Sequence, residues 1–324
     1  MRTALTTAGL FLFSATLWAL GPTAANEVRE DLNFGRADAA LGILNPALVQ
    51  NPADAEAHNL RCRVYYEEEQ WDTAISDCEA AVQSAPNSSE DHLWLGRAYG
   101  MKASHASLVA AYKLARKVHT EFDEAVQLDP HNASALADLG EFDVEAPGVV
   151  GGGVRSADPI VGQLRGVDPV RASTLQAQIA EQKSDYVSAE AAYKAAIAQA
   201  PEPAEQWMDL ANFYQRRGRT SDMFSALNTA VRLDRVHGPT MVEAASLLSR
   251  AERDPVPAIA WLREYLSSRA EEESAPAFVV RAQLARLLAM QGNKQAAREE
   301  IAVVHALASG YRIPPPSATA QAGE

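Results

Sequence analysis

Residues 204–235 read AEQWMDLANFYQRRGRTSDMFSALNTAVRLDR and carry the clearest structural signal in the chain. Large apolar and small residues recur in this stretch three and four positions apart, which is the spacing of one face of an α-helix. Gly218 stands near the middle, and glycine commonly follows the end of a helix. The stretch therefore predicts two helices joined by a turn at Gly218.

The same organisation recurs along the chain, because prolines that follow helix-like segments are spaced at intervals near 34 residues. Pro52 and Pro86 are 34 residues apart, Pro86 and Pro130 are 44 apart, Pro130 and Pro169 are 39 apart, and Pro169 and Pro201 are 32 apart. Alternating runs of β-branched residues, which strands need, do not occur in the sequence. A period of this length is typical of arrays in which each helical unit packs against the next.

These features resemble the tetratricopeptide-repeat family, whose 34-residue unit consists of two antiparallel helices, A and B. The unit that starts at Ala204 has the family's residue types at Trp207, Leu210, Ala211, Tyr214, Gly218, Leu227 and Ala230. Met223 and Arg235 replace the Ala and Pro that are usual in the family. The resemblance implies an all-α fold, a right-handed superhelical solenoid of about seven antiparallel helix-pair repeats whose helices A line a concave groove.

The repeat positions place the array over residues 26–312 and a disordered tail over 313–324. The expected segments are a helix-B half-unit at 27–54 and units near 55–88, 89–132, 133–171, 172–203, 204–237, 238–276 and 277–310. Insertions interrupt two units, one around residues 101–110 and one containing residues 146–153. Pro46 falls inside a helix B, where we expect a bend or break, whereas Pro257 is compatible with a first turn.

The N-terminus has the pattern of a signal peptide over residues 1–25. Arg2 precedes an apolar run that is too short to span a membrane, and Thr23 and Ala25 supply small residues before a cleavage site at Asn26. We expect export to the periplasm or the extracellular space, with envelope association as a further option. The alternative is an uncleaved N-terminal anchor; after cleavage we expect no membrane insertion.

The two cysteines of the chain, Cys62 and Cys78, fall at positions 8 and 24 of one unit. Helices A and B of a unit meet at these positions in the family's fold, and disulfides persist in exported proteins. The sequence therefore predicts a disulfide within this repeat. Two buried free thiols are the alternative.

Composition and motifs exclude several classes of function. The formal net charge of −13 argues against nucleic acid as a partner and predicts repulsion from anionic lipid surfaces. Gly148 and Gly153 have the spacing of P-loop glycines, but Val154 and Arg155 follow where Lys and Ser or Thr are required. The histidines lack metal-ligand spacing and no nucleophile motif occurs, so we predict no catalytic residue, no metal site and no cofactor.

The concave groove is the expected binding site for another protein or a peptide. Helix-A positions that face it carry Asn59, Arg63, Trp94, Arg97, Met101, Glu141, Asn212 and Arg216. Arg63 and Arg97 occupy the same position in successive units with Trp94 between them, which favours a partner with an acidic segment or a C-terminal carboxylate. A solvated helix face is the alternative interpretation.

The sequence thus favours a non-catalytic protein–protein interaction scaffold. Two alternatives stay open: an accessory subunit of an envelope enzyme or assembly complex, and an uncharacterised helical enzyme. The fold alone does not choose between them, because function depends on the site that a fold carries.

Overall fold

A computed structural model describes residues 20–251 and 255–314, and within these residues the chain is all-α, as the sequence predicted. The described residues form sixteen α-helices, which alternate as helix A and helix B of eight pairs. The pairs are α1 (Pro22–Asn33) and α2 (Ala37–Gln50), α3 (Ala55–Glu67) and α4 (Trp71–Ser84), α5 (Ser89–Ser104) and α6 (Leu108–Leu128), α7 (Ala133–Glu145) and α8 (Val154–Val167), α9 (Pro169–Gln182) and α10 (Tyr186–Gln199), α11 (Ala204–Arg216) and α12 (Thr220–Leu233), α13 (Pro239–Arg250) and α14 (Pro255–Ser268), and α15 (Ala277–Met290) and α16 (Lys294–Leu307). A short 3-10 helix, Gly148–Val150, lies between α7 and α8.

Helices A form the inner layer of the array. Within the first five pairs each helix A contacts the helix A of the next pair, and α11 likewise contacts α13. Each helix B from α2 to α14 packs between its own helix A and the following one. Small buried residues such as Ala74, Ala81 and Ala211 allow this close approach of helices. The helix-A side chains that do not enter the core therefore face a common concave surface.

In five of the described pairs the turn from helix A to helix B uses one left-handed residue, two positions after helix A ends. Gly35, Gly218 and Gly292 occupy this position, as do Glu69 and Ser184, all with φ between 57° and 82°. Glycine adopts this conformation at no steric cost, which explains the glycine of the repeat pattern. The two other residues show that the repeat imposes the turn even where the sequence disfavours it.

Two expectations at the N-terminal end were wrong. Residues 22–50 form a complete helix pair instead of a helix-B half-unit at 27–54, because Val28 and Leu32 bury an apolar face of α1 that lacks the repeat's motif residues. The array therefore begins inside the segment predicted as signal peptide, whose first 19 residues lie outside the described ones. Of the bend or break expected at Pro46, the break does not occur: α2 continues through Pro46, and Leu44 and Leu48 on either side of it are anchored in the core.

The two ends of the array pack against each other. Phe278 and Tyr311 share one buried cluster with Val28 and Leu44, and α16 contacts α2. Gly35, in the turn after α1, approaches Ala277 so closely that a Cβ atom would lie 2.3 Å from the Ala277 nitrogen. We call this contact between the first and last pairs the seam.

Hydrogen bonds reinforce the seam at its outer side. The amide and hydroxyl of Ser309 donate to the carboxylate of Asp38 at 3.0–3.1 Å, and Gln70 donates to the carbonyl of Gly310 at 3.3 Å. Within the described residues the array is therefore closed on itself, and its first and last pairs cover each other's apolar faces. Within residues 20–251 and 255–314, every helix is too short or too polar to cross a membrane.

Candidate functional site

Trp94 on α5 is the centre of the concave surface in the N-terminal half. The guanidinium carbons of Arg63 and Arg97 each lie 4.8 Å from the Trp94 ring centroid, so two cations contact one indole. The indole N–H donates to Glu90 Oε1 at 2.7 Å, and the Tyr66 ring meets the indole edge-on. Trp94 is 8% exposed, so a ligand at this place would contact the arginines before the ring.

Arg63 is already bound to a carboxylate of the chain. Its Nε donates to Glu273 Oε1 at 2.7 Å and its terminal Nη2 donates to Glu273 Oε2, which makes the pair bidentate. Glu273 belongs to the connection between α14 and α15, at the seam. Only about one sixth of either side chain is exposed, so solvent screens this pair less than a surface pair.

Arg97 is held in the same manner by the next unit. Its Nε donates to Asp138 Oδ2, on α7, at 2.6 Å. The two arginines of the predicted patch are thus brought together around Trp94, and each has an internal acidic partner. We name Arg63, Trp94 and Arg97, with Glu273 and Asp138, the arginine cluster.

Acidic side chains line the concave surface beyond the arginine cluster. Burial, followed by the neighbouring carboxylates of Glu243, Glu205 and Glu141, raises the pKa of Asp209 on α11 to about 7. Glu141 accepts a hydrogen bond from Gln178 at 3.3 Å. In the part of the chain that the structure describes, no three acidic, His or Cys side chains are arranged to hold a metal ion.

The model of the tetratricopeptide-repeat family matches residues 26–89 and 174–236. Tetratricopeptide repeats are recognised in these two segments. No match was found among curated protein sequences.

Solved tetratricopeptide-repeat structures share the fold. TTC0263 of Thermus thermophilus is 19% identical, with a TM-score of 0.50 over 60% of this chain and 98% of that one. A tetratricopeptide-repeat protein of Parabacteroides merdae is 13% identical, with a TM-score of 0.50 over 87% and 99%. Yeast Tom70 is 15% identical, with a TM-score of 0.54 over 87% of this chain and 60% of its own. At such identities the likeness concerns the fold alone.

The other residues predicted to line the groove of the tetratricopeptide repeats mostly bridge neighbouring helices A. Asn59 is 5% exposed and donates to Asp91 Oδ1 at 2.7 Å, and Asn212 donates to Glu243 Oε1 at 2.7 Å. Arg216 makes a bidentate pair with Glu181 at 2.8 and 2.9 Å. Met101 is half-buried near the end of α5, apart from this network. Most of the predicted set is therefore tied to neighbouring repeats.

Two histidines link successive helix pairs. His58 Nδ1 lies 2.9 Å from Asp77 Oδ1 and His58 Nε2 lies 3.0 Å from the Pro52 carbonyl. His92 makes the equivalent contacts with Glu121 at 2.7 Å and with the Pro86 carbonyl at 3.1 Å. Both side chains serve packing, since each ties helix A to its own helix B and to the end of the preceding unit.

Cys62 on α3 and Cys78 on α4 form a disulfide within one tetratricopeptide repeat. Their Cα atoms are 5.3 Å apart and neither residue is exposed. The bond fixes helix A against helix B in the unit that also provides Arg63. The disulfide therefore holds in place the helix that carries Arg63 of the arginine cluster.

Two acidic residues of this region were missed by the sequence reasoning. Glu273 lies in a connection that has no place in the repeat pattern, and Glu67 lies one turn after Arg63 on α3. Both carboxylate oxygens of Glu67 are buried and lack a hydrogen-bond partner within residues 20–251 and 255–314. Burial and the nearby Glu273 raise the pKa of Glu67 well above its usual range. No local signal predicts the contact of Glu273 with Arg63 or its effect on Glu67, because Glu273 reaches α3 only when the array closes.

Proposed function

We propose that the chain is a non-catalytic scaffold that binds a peptide or protein segment on its concave surface. Tetratricopeptide repeats are typical of protein–protein interaction scaffolds, and the chain carries them. The observation that supports the proposal best is the arginine cluster, in which Arg63 and Arg97 contact one indole and both hold carboxylates. Clusters of Arg and Trp of this kind are enriched where protein interfaces draw most of their binding energy.

The proposed partner supplies a carboxylate, from an acidic side chain or from its C-terminus. Glu273 shows the geometry that such a group would adopt, because its two oxygens meet the fork of the Arg63 guanidinium. A partner carboxylate would replace Glu273, which belongs to a connection between helices. Asp138 lies within α7 and is less free to leave Arg97.

Glu141, Asp209 and Glu243 form an acidic part of the concave surface, and this part favours one direction of a bound segment. Its negative charge repels a carboxylate and attracts basic residues. A bound segment would therefore place its acidic group at Arg63 and its neutral or basic part along α7, α11 and α13. The partner chemistry proposed from Arg63 and Arg97 thus applies to one end of the groove.

We also propose that the protein is exported, to the periplasm or the extracellular space. The predicted signal peptide and the Cys62–Cys78 disulfide support this location. Cleavage before Asn26 would remove Ala25, which is buried, and Leu20, whose amide donates to Asp54 Oδ2 at 2.5 Å. N-terminal sequencing of the exported protein tests the site: a chain that starts before Leu20 would retain this packing and contradict cleavage at Asn26.

Binding of a defined acidic probe tests the scaffold proposal. The probe is a fluorescent pentaglutamate peptide with a free C-terminus, and its glutamine analogue with an amidated C-terminus is the neutral comparison. We expect Glu273→Ala to strengthen binding about tenfold, because removal of the internal competitor frees Arg63. Arg97→Gln should weaken it. Crosslinking in the native extract then identifies the natural partner.

Arg165→Gln is the matched control, since Arg165 is exposed on α8, outside the groove. It should leave the affinity unchanged. The proposed acidic partner is contradicted if Glu273→Ala binds the acidic and neutral probes equally, or if Arg165→Gln weakens binding as much as Arg97→Gln. Circular dichroism spectra and melting curves check that each variant is folded.

A further inference from the structure

One helix pair departs from the regular array. α6 has 21 residues, whereas each of the seven other helices B has 14. α4, α6, α8 and α10 all end two residues before a proline, so the additional residues of α6 lie at its N-terminal end. Seven helical residues extend the pair by about 10 Å. Together with the end of α5 they form a protrusion at the edge where helices A turn into helices B.

The protrusion carries apolar side chains that no described residue covers. Leu108 is 88% exposed, Val109 is 71% exposed and Tyr112 is 42% exposed. The core side of α6 begins further along, with Val118 and Phe122. Exposed apolar residues that are grouped in one place mark an interaction surface more often than single ones do.

Cations follow the apolar residues along the same helix. Lys113 and Arg116 are exposed and form no ion pair with any residue in 20–251 or 255–314. Lys117 donates to the Tyr99 hydroxyl at 2.8 Å and lies 3.6 Å from Glu79. Lys113 and Arg116 thus differ from the arginines of the groove, which all have internal carboxylate partners.

The second insertion of the array lies against the same helix. Gly151, which follows the 3-10 helix, packs on the ring of His119 on α6, where a Cβ atom would lie 2.7 Å from the ring. Val149 in that 3-10 helix is 68% exposed. The two irregular segments of the array therefore meet at one edge, and both present apolar side chains to solvent.

We propose that this edge binds an anionic phospholipid surface, with the N-terminal end of α6 leading. Leu108 and Val109 are at the tip, Tyr112 follows one turn later, and Lys113 and Arg116 lie about 6–12 Å behind the tip. This order suits a bilayer surface. Apolar side chains enter the boundary of the acyl chains, whereas the aromatic ring and the cations lie at the level of the headgroups.

The arrangement of apolar and basic side chains favours lipid over a folded partner. Leu108, Val109, Tyr112, Lys113 and Arg116 line one open depression on a single face of α6, and a fluid lipid surface fits such a face without a complementary shape. The net charge of −13 opposes the approach. However, the protrusion of about 10 Å keeps most of the acidic body roughly one Debye length, about 8 Å, from the surface. The contact is peripheral, and it is independent of the peptide-binding proposal.

Co-sedimentation of the protein as isolated with vesicles tests the inference. The vesicles contain phosphatidylcholine with 30 mol% phosphatidylglycerol, or phosphatidylcholine alone, at about 0.1 M salt. We expect preferential binding to the anionic vesicles, a loss of at least fivefold in the partition coefficient for Val109→Asp, and a similar loss for Lys113→Glu with Arg116→Glu. Added salt should weaken the binding of the unmodified protein.

Two controls match these changes elsewhere on helices B. Val187→Asp alters a side chain that is 84% exposed on α10, and Arg165→Glu with Arg232→Glu reverses the same number of charges on α8 and α12. Both should bind as the unmodified protein does. Equal losses in the controls, or no preference for anionic vesicles, would overturn the proposal. It would also be overturned by sedimentation equilibrium showing a dimer that Val109→Asp dissociates, together with no vesicle binding.

Discussion

Arg63 and Glu273 are 210 positions apart in the chain and form a bidentate ion pair inside the concave surface. One residue belongs to the second helix pair and the other to the connection before the last pair, so the ion pair joins the two ends of the array. The same contact occupies the guanidinium group that a partner carboxylate would need. Closure of the array and access to the arginine cluster are therefore coupled.

A double-mutant cycle measures the energy of this pair. Arg63→Ala, Glu273→Ala and the double variant should each unfold more readily in urea, with a coupling free energy of about 2 kcal/mol, because the pair is only partly exposed. These three variants should also show a larger radius of gyration in solution scattering than the unmodified protein. A coupling energy near zero would mean that the ends stay together without the ion pair.

Gly35→Ala tests the close approach at the seam. Gly35 has φ +57° and an added Cβ would collide with the backbone of Ala277, so we expect a loss of about 2–4 kcal/mol in unfolding free energy. Gly42→Ala is the matched control, since Gly42 lies inside α2 with no atom within 4 Å of the added Cβ. The control should gain about 0.5–1 kcal/mol from the better helix propensity. Similar effects of the two changes would refute a tight seam.

Reduction of the Cys62–Cys78 disulfide should destabilise the protein. The bond closes a loop with a sequence separation of 16, and loops of about this length correspond to roughly 3 kcal/mol of chain entropy in the unfolded state. Urea unfolding with and without dithiothreitol measures the difference. The Cys62→Ala and Cys78→Ala double variant should unfold alike in both conditions, and a dithiothreitol effect in that variant would point to another cause.

The stability of the seam should depend on pH through Glu68. Burial, followed by the charge of Asp38, raises the pKa of Glu68 to about 7, although Gln70 and the Gly310 amide donate to it. Because the folded-state pKa lies above the unfolded one, this stability is present below about pH 4.5 and is lost as pH rises through 7, by on the order of 3 kcal/mol.

Urea unfolding at pH 5 and pH 8 checks the sign of this dependence. The unmodified protein should lose more stability between the two pH values than Glu68→Gln, in which the titrating group is absent. Glu264→Gln, at an exposed position of α14, is the control and should behave as the unmodified protein does. If Glu68→Gln and the control show the same loss, Glu68 is not the group responsible.

The helical repeat could be predicted from the sequence because the residues that define it lie close together within each unit. Trp207, Leu210 and Ala211 are three and four positions apart, and the same types recur one period away. Helix α1 was missed because Glu27, Val28 and Asp31 stand where the repeat usually has Leu, a small residue and Tyr. Pro46 was misjudged because neighbouring buried leucines hold the helix across it.

The candidate site was predictable only in part. The proximity of Arg63 and Arg97 follows from their equivalent positions in successive repeats, and both contact Trp94, which lies between them. The acidic partner of Arg63 was not predictable, since Glu273 reaches it only when the array closes. The basic and apolar end of α6 was likewise not predictable. It depends on how far α6 extends, and the ten-residue insertion alone does not determine that length.

The seam also limits how this protein can evolve. An open solenoid can gain or lose a unit by duplication or deletion of its coding segment, because a new unit needs only its two neighbours. Here an added or deleted unit would separate Gly35 from Ala277 and uncover the apolar surface on both sides. Changes in length must therefore occur within units, and both insertions of the chain are of that kind.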